Sequence, residues 1–168
     1  AEEDWSGIES ILKFEQGKKV IDLGGGRGFL LSNIGGQNLK KILIDRPEVI
    51  AGLELKDIEV LGLDIFSDTI PIADVYILSR VLHDWSDDYC QRLLHRIPQH
   101  ADLIVIEREG IAEQNGLLSL NMLLVNGGHE RSIKDWHSLF AQCFWSIQSI
   151  DTWNNHLVMK LRGEQRDA

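Results

Sequence analysis

Val20–Leu30 reads VIDLGGGRGFL, an apolar run that breaks into four glycines over five positions. Glycine has no Cβ, so such a run lets a chain leaving a strand turn tightly and bring its backbone close to a ligand. The spacing narrows the choice of ligand. A dinucleotide fingerprint needs G-x-G-x-x-G, and the third position falls on Phe29 counting from Gly24 and Gly26, or on Leu31 counting from Gly26 and Gly28. A P-loop needs Gly-Lys-Ser or Gly-Lys-Thr, and neither follows. What is present is G-x-G-x-G, at Gly24, Gly26 and Gly28.

Working outward, short apolar runs recur at Lys19–Leu23, Lys41–Ile44, Ile58–Leu63, Val75–Ser79 and Leu103–Glu107. They lack polar alternation, which predicts strands covered on both faces. Helical stretches fall between them: Phe29–Ile34, Pro47–Leu53 with proline in its first turn, and SDDYCQRLLHRI with Ser86 as N-cap. Alternation of this kind predicts an α/β fold with a mostly parallel sheet and helices on both faces. Farther on, SIKD at Ser132–Asp135 predicts a capping box before a helix to about Cys143. SIQSID and HLVMKL then predict two strands whose short link, TWNN, suits an antiparallel pair. Trp5, Ile8, Ile11 and Leu12 share one face at helical spacing, predicting an N-terminal helix and lead-in over 1–17, with a polar tail over 162–168.

The totals bound the function. A chain of 168 residues with 43% hydrophobic and 26% charged residues predicts a single folded domain. A net charge of −9 with scattered basic residues argues against nucleic acid as a partner. Nothing resembles a membrane span or a signal peptide, and Cys90 and Cys143 read as separate free thiols, so a cytoplasmic protein is expected. The six histidines show no joint metal spacing.

Acids close the first three strands: Asp22 at the glycines, Asp45 after KILI and Asp64 in LDIF. An acid where Asp45 lies commonly holds ribose hydroxyls, and Asp64 is available for an adenine amino group. A ligand with a carboxylate for the loop and cations for Asp22, such as S-adenosylmethionine, fits this set. Each feature also has a plain structural reading, as a tight turn, a helix-start anion or a solvated loop acid.

The segments VIDLGGGRG, IDRPEVI, LDIF, ADVYILSRVLHDWSDD, LIVIERE and LNMLLVNGGHERS, in this order, resemble the S-adenosylmethionine-dependent small-molecule O-methyltransferases of the caffeate and hydroxyindole type. The match runs from about Lys19 to Leu161, and RVLHDWSDD and GGHERS carry more of it than the glycines do. The resemblance implies the class I methyltransferase fold, Rossmann-like, with a seven-stranded sheet whose last strand is antiparallel. It implies that Gly24, Gly26, Gly28, Asp45, Asp64, Ile65 and Ser79 line the S-adenosylmethionine site, S-adenosylhomocysteine being the product. It further implies His83 as general base, flanked by Glu107 and Glu130, with Met122 and Asn126 against a small, aromatic hydroxyl acceptor.

Read without the family, His83 is a residue ahead of a helix, Asp84, Asp87 and Asp88 serve that helix's N-terminus, and Glu130 with Arg131 is a surface pair. The sequence departs from the family in Leu63, where a glycine is usual, and in a short span from Gly28 to Asp45. The family's helical N-terminal region, which mediates dimerisation and covers part of the acceptor pocket, is not recognisable here. The expectation is a catalytic domain whose lid comes from a homodimer partner, another domain or another chain. The competing readings are a non-catalytic cofactor-binding or scaffold module, and a nicotinamide-dependent oxidoreductase, against which the glycine spacing argues.

Overall fold

The computed structural model describes residues 3–35, 38–110 and 130–165. Seven strands lie in the order β3-β2-β1-β4-β5-β7-β6. They are β1 (Lys19–Leu23), β2 (Lys40–Asp45), β3 (Ile58–Gly62), β4 (Val75–Ser79), β5 (Asp102–Glu107), β6 (Trp145–Trp153) and β7 (His156–Gly163). β1 pairs in parallel with β2 and with β4, and β2 with β3, while β7 runs antiparallel to both β5 and β6. The expected α/β sheet with its antiparallel final strand is therefore present. By packing, the chain divides into two compact units, Ala1–Ile77 and Leu78–Ala168.

In the first unit, Val20, Ile21 and Leu23 of β1 and Leu43 and Ile44 of β2 are fully buried, which explains why these strands carry no polar alternation. The helices are short: α1 is Phe29–Ser32 and α2 is Pro47–Ile50, with proline in the first turn as expected. The end of α1 is held from another element, since Lys41 Nζ donates to the carbonyls of Leu31 (3.0 Å) and Ile34 (2.6 Å). Burial lowers the pKa of that ammonium.

The N-terminal helix is not formed. Among the described residues of this segment, 3–17, the only helical turn is a 3-10 turn at Ile8–Ser10, behind a left-handed Gly7 (φ 87°). Trp5, Ile8 and Leu12 are buried all the same, so their spacing reports burial rather than helix. A glycine so close to the first turn weakens nucleation, and a segment this short gains too few hydrogen bonds to offset that.

In the second unit, α3 spans Asp87–Arg96 and α4 spans Ile133–Gln142. Ser86 caps α3 by accepting from the Tyr89 N–H, and Cys90, Leu93 and Leu94 form the buried stripe. Both halves of the α4 capping box are made: Asp135 N–H donates to Ser132 Oγ at 3.2 Å, and Ser132 N–H donates to Asp135 Oδ2 at 3.1 Å. Ser132→Ala should cost about 1 kcal/mol, read as a lowered urea midpoint with unchanged slope. β6 and β7 are joined by Asn154 and Asn155 (φ 43° and 64°), whose left-handed backbones suit a two-residue hairpin turn. β7 continues through Arg162 and Gly163, which pair with Ser146 and Trp145, so the polar tail begins later than its composition suggests.

Cys90 and Cys143 are free and buried, and burial pushes their thiols up to about 12 and about 11. Among the described residues no helix is long and apolar enough to cross a membrane.

Candidate functional site

The glycine loop and its acids lie in the first unit. Gly24, Gly26 and Gly28 are all left-handed, with φ of 72°, 61° and 86°, so the G-x-G-x-G spacing marks positions where the backbone favours glycine. Gly25 is a different case, and the spacing missed it. A Cβ there would run into Leu43 and the Asp22 carboxylate, and its place in the middle of three consecutive glycines was the only local sign.

The loop N–H groups are largely used inside the protein. Gly24 and Gly25 donate to Ile44 O (2.7 and 3.3 Å), Gly28 donates to Gly25 O (3.1 Å) and Gly26 donates to Asp45 Oδ2 (2.8 Å). With a four-residue helix behind it, this loop works by close backbone approach and by its acids, not by presenting free N–H groups to a carboxylate.

Asp45 ends β2 with its other oxygen, Oδ1, accepting from Arg46 N–H at 2.7 Å, so two backbone donors fix its carboxylate against the loop. Asp22 is fully buried behind the glycines, and neither of its oxygens has a hydrogen-bond partner. Burial, followed by the negative charge of Asp45, raises its pKa to about 8. An unpartnered buried carboxylate is costly, and a bound cation is the chemistry that would relieve it.

Leu63 N–H donates to Asp45 O at 2.9 Å, which ties the ends of β2 and β3 together, and Asp64 follows. Asp64 is exposed, its Oδ1 accepting from Phe66 N–H at 2.9 Å in a local turn, and Ile65 beside it is partly buried.

The second constellation belongs to the other unit. Ser79 closes β4, and Arg80 after it adopts a left-handed backbone (φ 56°), with its N–H donating to Ile106 O at 2.9 Å. His83 sits in a 3-10 turn, Leu82–Asp84, outside the helix its sequence precedes. Glu107, fully buried at the end of β5, holds the histidine twice. Its Oε1 accepts from the His83 backbone N–H at 3.3 Å, and its Oε2 lies 3.3 Å from the ring Nδ1, within ion-pair reach though not aligned as a hydrogen bond.

On the far side of the ring, Asp84 Oδ1 lies 3.1 Å from Nε2. Glu130 is placed by Arg80, whose Nη2 is 3.4 Å from Glu130 Oε1 while its Nη1 donates to Glu107 Oε2 at 2.9 Å. The second oxygen of Glu130 is buried without a hydrogen-bond partner.

The surface-pair reading of Glu130 and Arg131 does not hold. Arg131 is only 1% exposed and turns the other way. It donates to the carbonyls of Leu82 (3.0 Å) and Trp85 (2.8 Å), pairs with Asp87, and stacks on Trp136 with its guanidinium carbon 5.1 Å from the ring centroid. It thus clamps both ends of the turn that carries His83. Asp84 is likewise not a helix-start anion, because it faces the imidazole. Met122 and Asn126 lie outside the described residues.

The His83 pKa is a balance. Burial is the largest influence and works against the imidazolium, but the contact with Asp84 and the close, negatively charged Glu107 outweigh it and lift the pKa to about 9, with Arg80 opposing. The Asp84 side chain is 47% exposed, so solvent screens part of its pull. Asp84→Asn should lower the His83 midpoint in a ring-proton NMR titration, and an unmoved midpoint would assign the shift to Glu107 alone. Among the described residues no group of three or more His, Cys, Asp or Glu side chains could hold a metal.

Comparison with known proteins adds the following. The sequence model of one family, described as an O-methyltransferase domain, matches residues 7–146. Human acetylserotonin O-methyltransferase is 36% identical over 140 residues, covering 73% of this chain and 41% of that protein. The crystal structure of human N-acetylserotonin methyltransferase with S-adenosylmethionine superposes with a TM-score of 0.76 at 29% identity, over 87% of this chain and 47% of that one. An O-methyltransferase from neocarzinostatin biosynthesis, solved with S-adenosylmethionine and 2-hydroxy-5-methyl naphthoic acid, superposes at 0.78 with 25% identity, over 95% and 53%. The chain spans less than half the length of the curated relatives it matches.

Proposed function

The chain belongs to the O-methyltransferase domain family, and from that premise we propose that it binds S-adenosylmethionine and supports methyl transfer to the hydroxyl of a small aromatic molecule, with His83 as general base. When bound, the cofactor supplies an electrophilic methyl group on a sulfonium. Asp22 answers its positive charge, Asp45 its ribose hydroxyls, and Asp64 with Ile65 its adenine. Gly24, Gly26 and Gly28 allow the close approach, and Ser79 belongs to the same set.

The observation that carries the reading is the His83–Glu107 pair: a buried carboxylate holding Nδ1 and the backbone of one imidazole. Orienting one ring nitrogen leaves the other to take a proton. Here Nε2 is engaged by the partly exposed Asp84, so an acceptor hydroxyl reaches the base by taking the place of that carboxylate.

A phenol is the acceptor class we favour, because its pKa of about 10 is much closer to an imidazolium's than that of an aliphatic hydroxyl, whose acidity is nearer water's roughly 15.7. The neocarzinostatin relative, solved with a hydroxynaphthoic acid, supports the same class. A lid over the acceptor, from a second copy of the chain or from another domain or chain, completes the proposal, as does a cytoplasmic setting for the two free thiols.

The test is calorimetric titration with S-adenosylhomocysteine and with NAD, followed by single-turnover assays against a panel of phenols. Binding of S-adenosylhomocysteine but not NAD, with methyl transfer to at least one phenol, is the expected result. Preference for NAD would overturn the cofactor reading. Cofactor binding with no transfer, even with the lid supplied, would make the chain a binding module.

A further inference from the structure

Three carboxylates are gathered around His83 or its neighbours, and a fourth charged side chain among the described residues makes that arrangement workable. Asp84 and Glu107 face the ring directly, and Glu130 joins them through Arg80. Arg80 reaches both glutamates from one guanidinium, Nη1 to Glu107 at 2.9 Å and Nη2 to Glu130 at 3.4 Å. It shares Glu107 Oε2 with the imidazole, so Arg80 and His83 compete for one oxygen. The Arg80 side chain is largely buried, where such contacts are less screened than on the surface.

The backbone supports a dedicated role. Left-handed φ is uncommon for a long side chain and is strained, so it persists only where surrounding contacts impose it. At Arg80 those contacts are the N–H bond to Ile106 O and the two glutamates.

We propose that Arg80 is a positioning residue for the base: it bridges Glu107 and Glu130, fixing the carboxylate that orients His83, and it offsets the negative charge around the imidazole so that the ring can give up its proton. The proposal rests on the reading of His83 as general base. Without Arg80, the charge of Glu107 would act on the imidazolium with no opposing cation bound to it, and the ring would hold its proton more tightly. Arg131 and Asp87 are paired with each other, with Arg131 also donating to backbone carbonyls, and do not replace it.

The experiment follows the His83 ring by NMR in the 168-residue chain, comparing it with Arg80→Met, Arg80→Lys and the double variant Arg80→Met with Glu130→Gln. The same proteins are assayed for methyl transfer across pH. Arg80→Met should raise the His83 midpoint by about one pH unit, which at pH 7.5 is about a tenfold loss in kcat/KM that recovers as pH rises. Arg80→Lys keeps the charge without the two-pronged bridge, so it should restore most of the midpoint while leaving kcat reduced. The double variant, which removes a cation and an anion together, should bring the midpoint back toward its original value.

An unmoved or lowered midpoint in Arg80→Met, or an activity loss independent of pH, would overturn the proposal. Should Arg80→Met not fold, Arg80→Lys carries the test through kcat: a reduced kcat with a near-original midpoint is expected, and an unchanged kcat would overturn the proposal. The ring titration needs no methyl transfer, so the Arg80 result stands apart from failure of the general-base reading.

Discussion

Replacing His83 by glutamine should slow single-turnover methyl transfer by about 10²- to 10⁴-fold while leaving S-adenosylhomocysteine affinity unchanged. That range is the usual contribution of a positioned general base. Glutamine keeps a polar group of similar reach but cannot accept the acceptor's proton at neutral pH. The glycine loop and its acids lie in residues 1–77 and His83 in 78–168, so cofactor affinity separates loss of the base from general damage.

The pH dependence supplies a second check. With a pKa near 9, His83 in the acceptor-free protein carries its proton at neutral pH, and about one molecule in a hundred has a neutral ring at pH 7. In the original chain kcat/KM should therefore climb with pH toward about 9, and in the glutamine variant that climb should vanish. Unchanged transfer in the variant would remove His83 from the chemistry.

The second large effect is expected at Asp22. Asp22→Asn should weaken S-adenosylmethionine binding about ten- to a hundredfold, the scale of one hydrogen bond to a charged group. Adenosine, which carries no cation, should bind to both proteins alike, and equal losses for the two ligands would assign the effect to loop damage.

Stability should move the other way. In the folded protein Asp22 has a pKa of about 8 against an ordinary value of 3.8, so the fold holds a proton there that the unfolded chain releases. A carboxyl raised in this way contributes stability that is fully present below 3.8 and is lost as pH rises through about 8. Thermal melts of the original chain should therefore fall across that window, and Asp22→Asn, with nothing to ionise, should lack this component and exceed the original at pH 9. Parallel curves for the two proteins would contradict an unpartnered buried carboxylate.

What could be read from the letters was set by neighbours along the chain. The apolar runs gave the strands to within a residue or two at each end, because a strand covered on both faces needs continuous apolar side chains. Ser86, and Ser132 with Asp135, announced their helices because a cap closes within one turn. The G-x-G-x-G spacing picked out three left-handed backbones for the same local reason. The N-terminal apolar face failed as a helix because the spacing that buries Trp5, Ile8 and Leu12 says nothing of the backbone between them.

The charges were not local, and there the sequence by itself stopped. Asp22 looked like any strand-end acid until β2 and the glycines closed over it and left both oxygens without partners. Asp84 and Arg131 had plausible duties beside their chain neighbours, and packing turned one toward His83 and the other onto the turn that carries it. Arg80 finds its two glutamates 27 and 50 residues away. A cap or a turn depends on dihedral angles a few residues long, whereas an ion pair depends on which side chains meet after folding and on how much water is left between them. The sequence therefore determined the strands, the caps, the glycine turn and the family; the tertiary structure decided which charges face His83 and which acid is left without a partner.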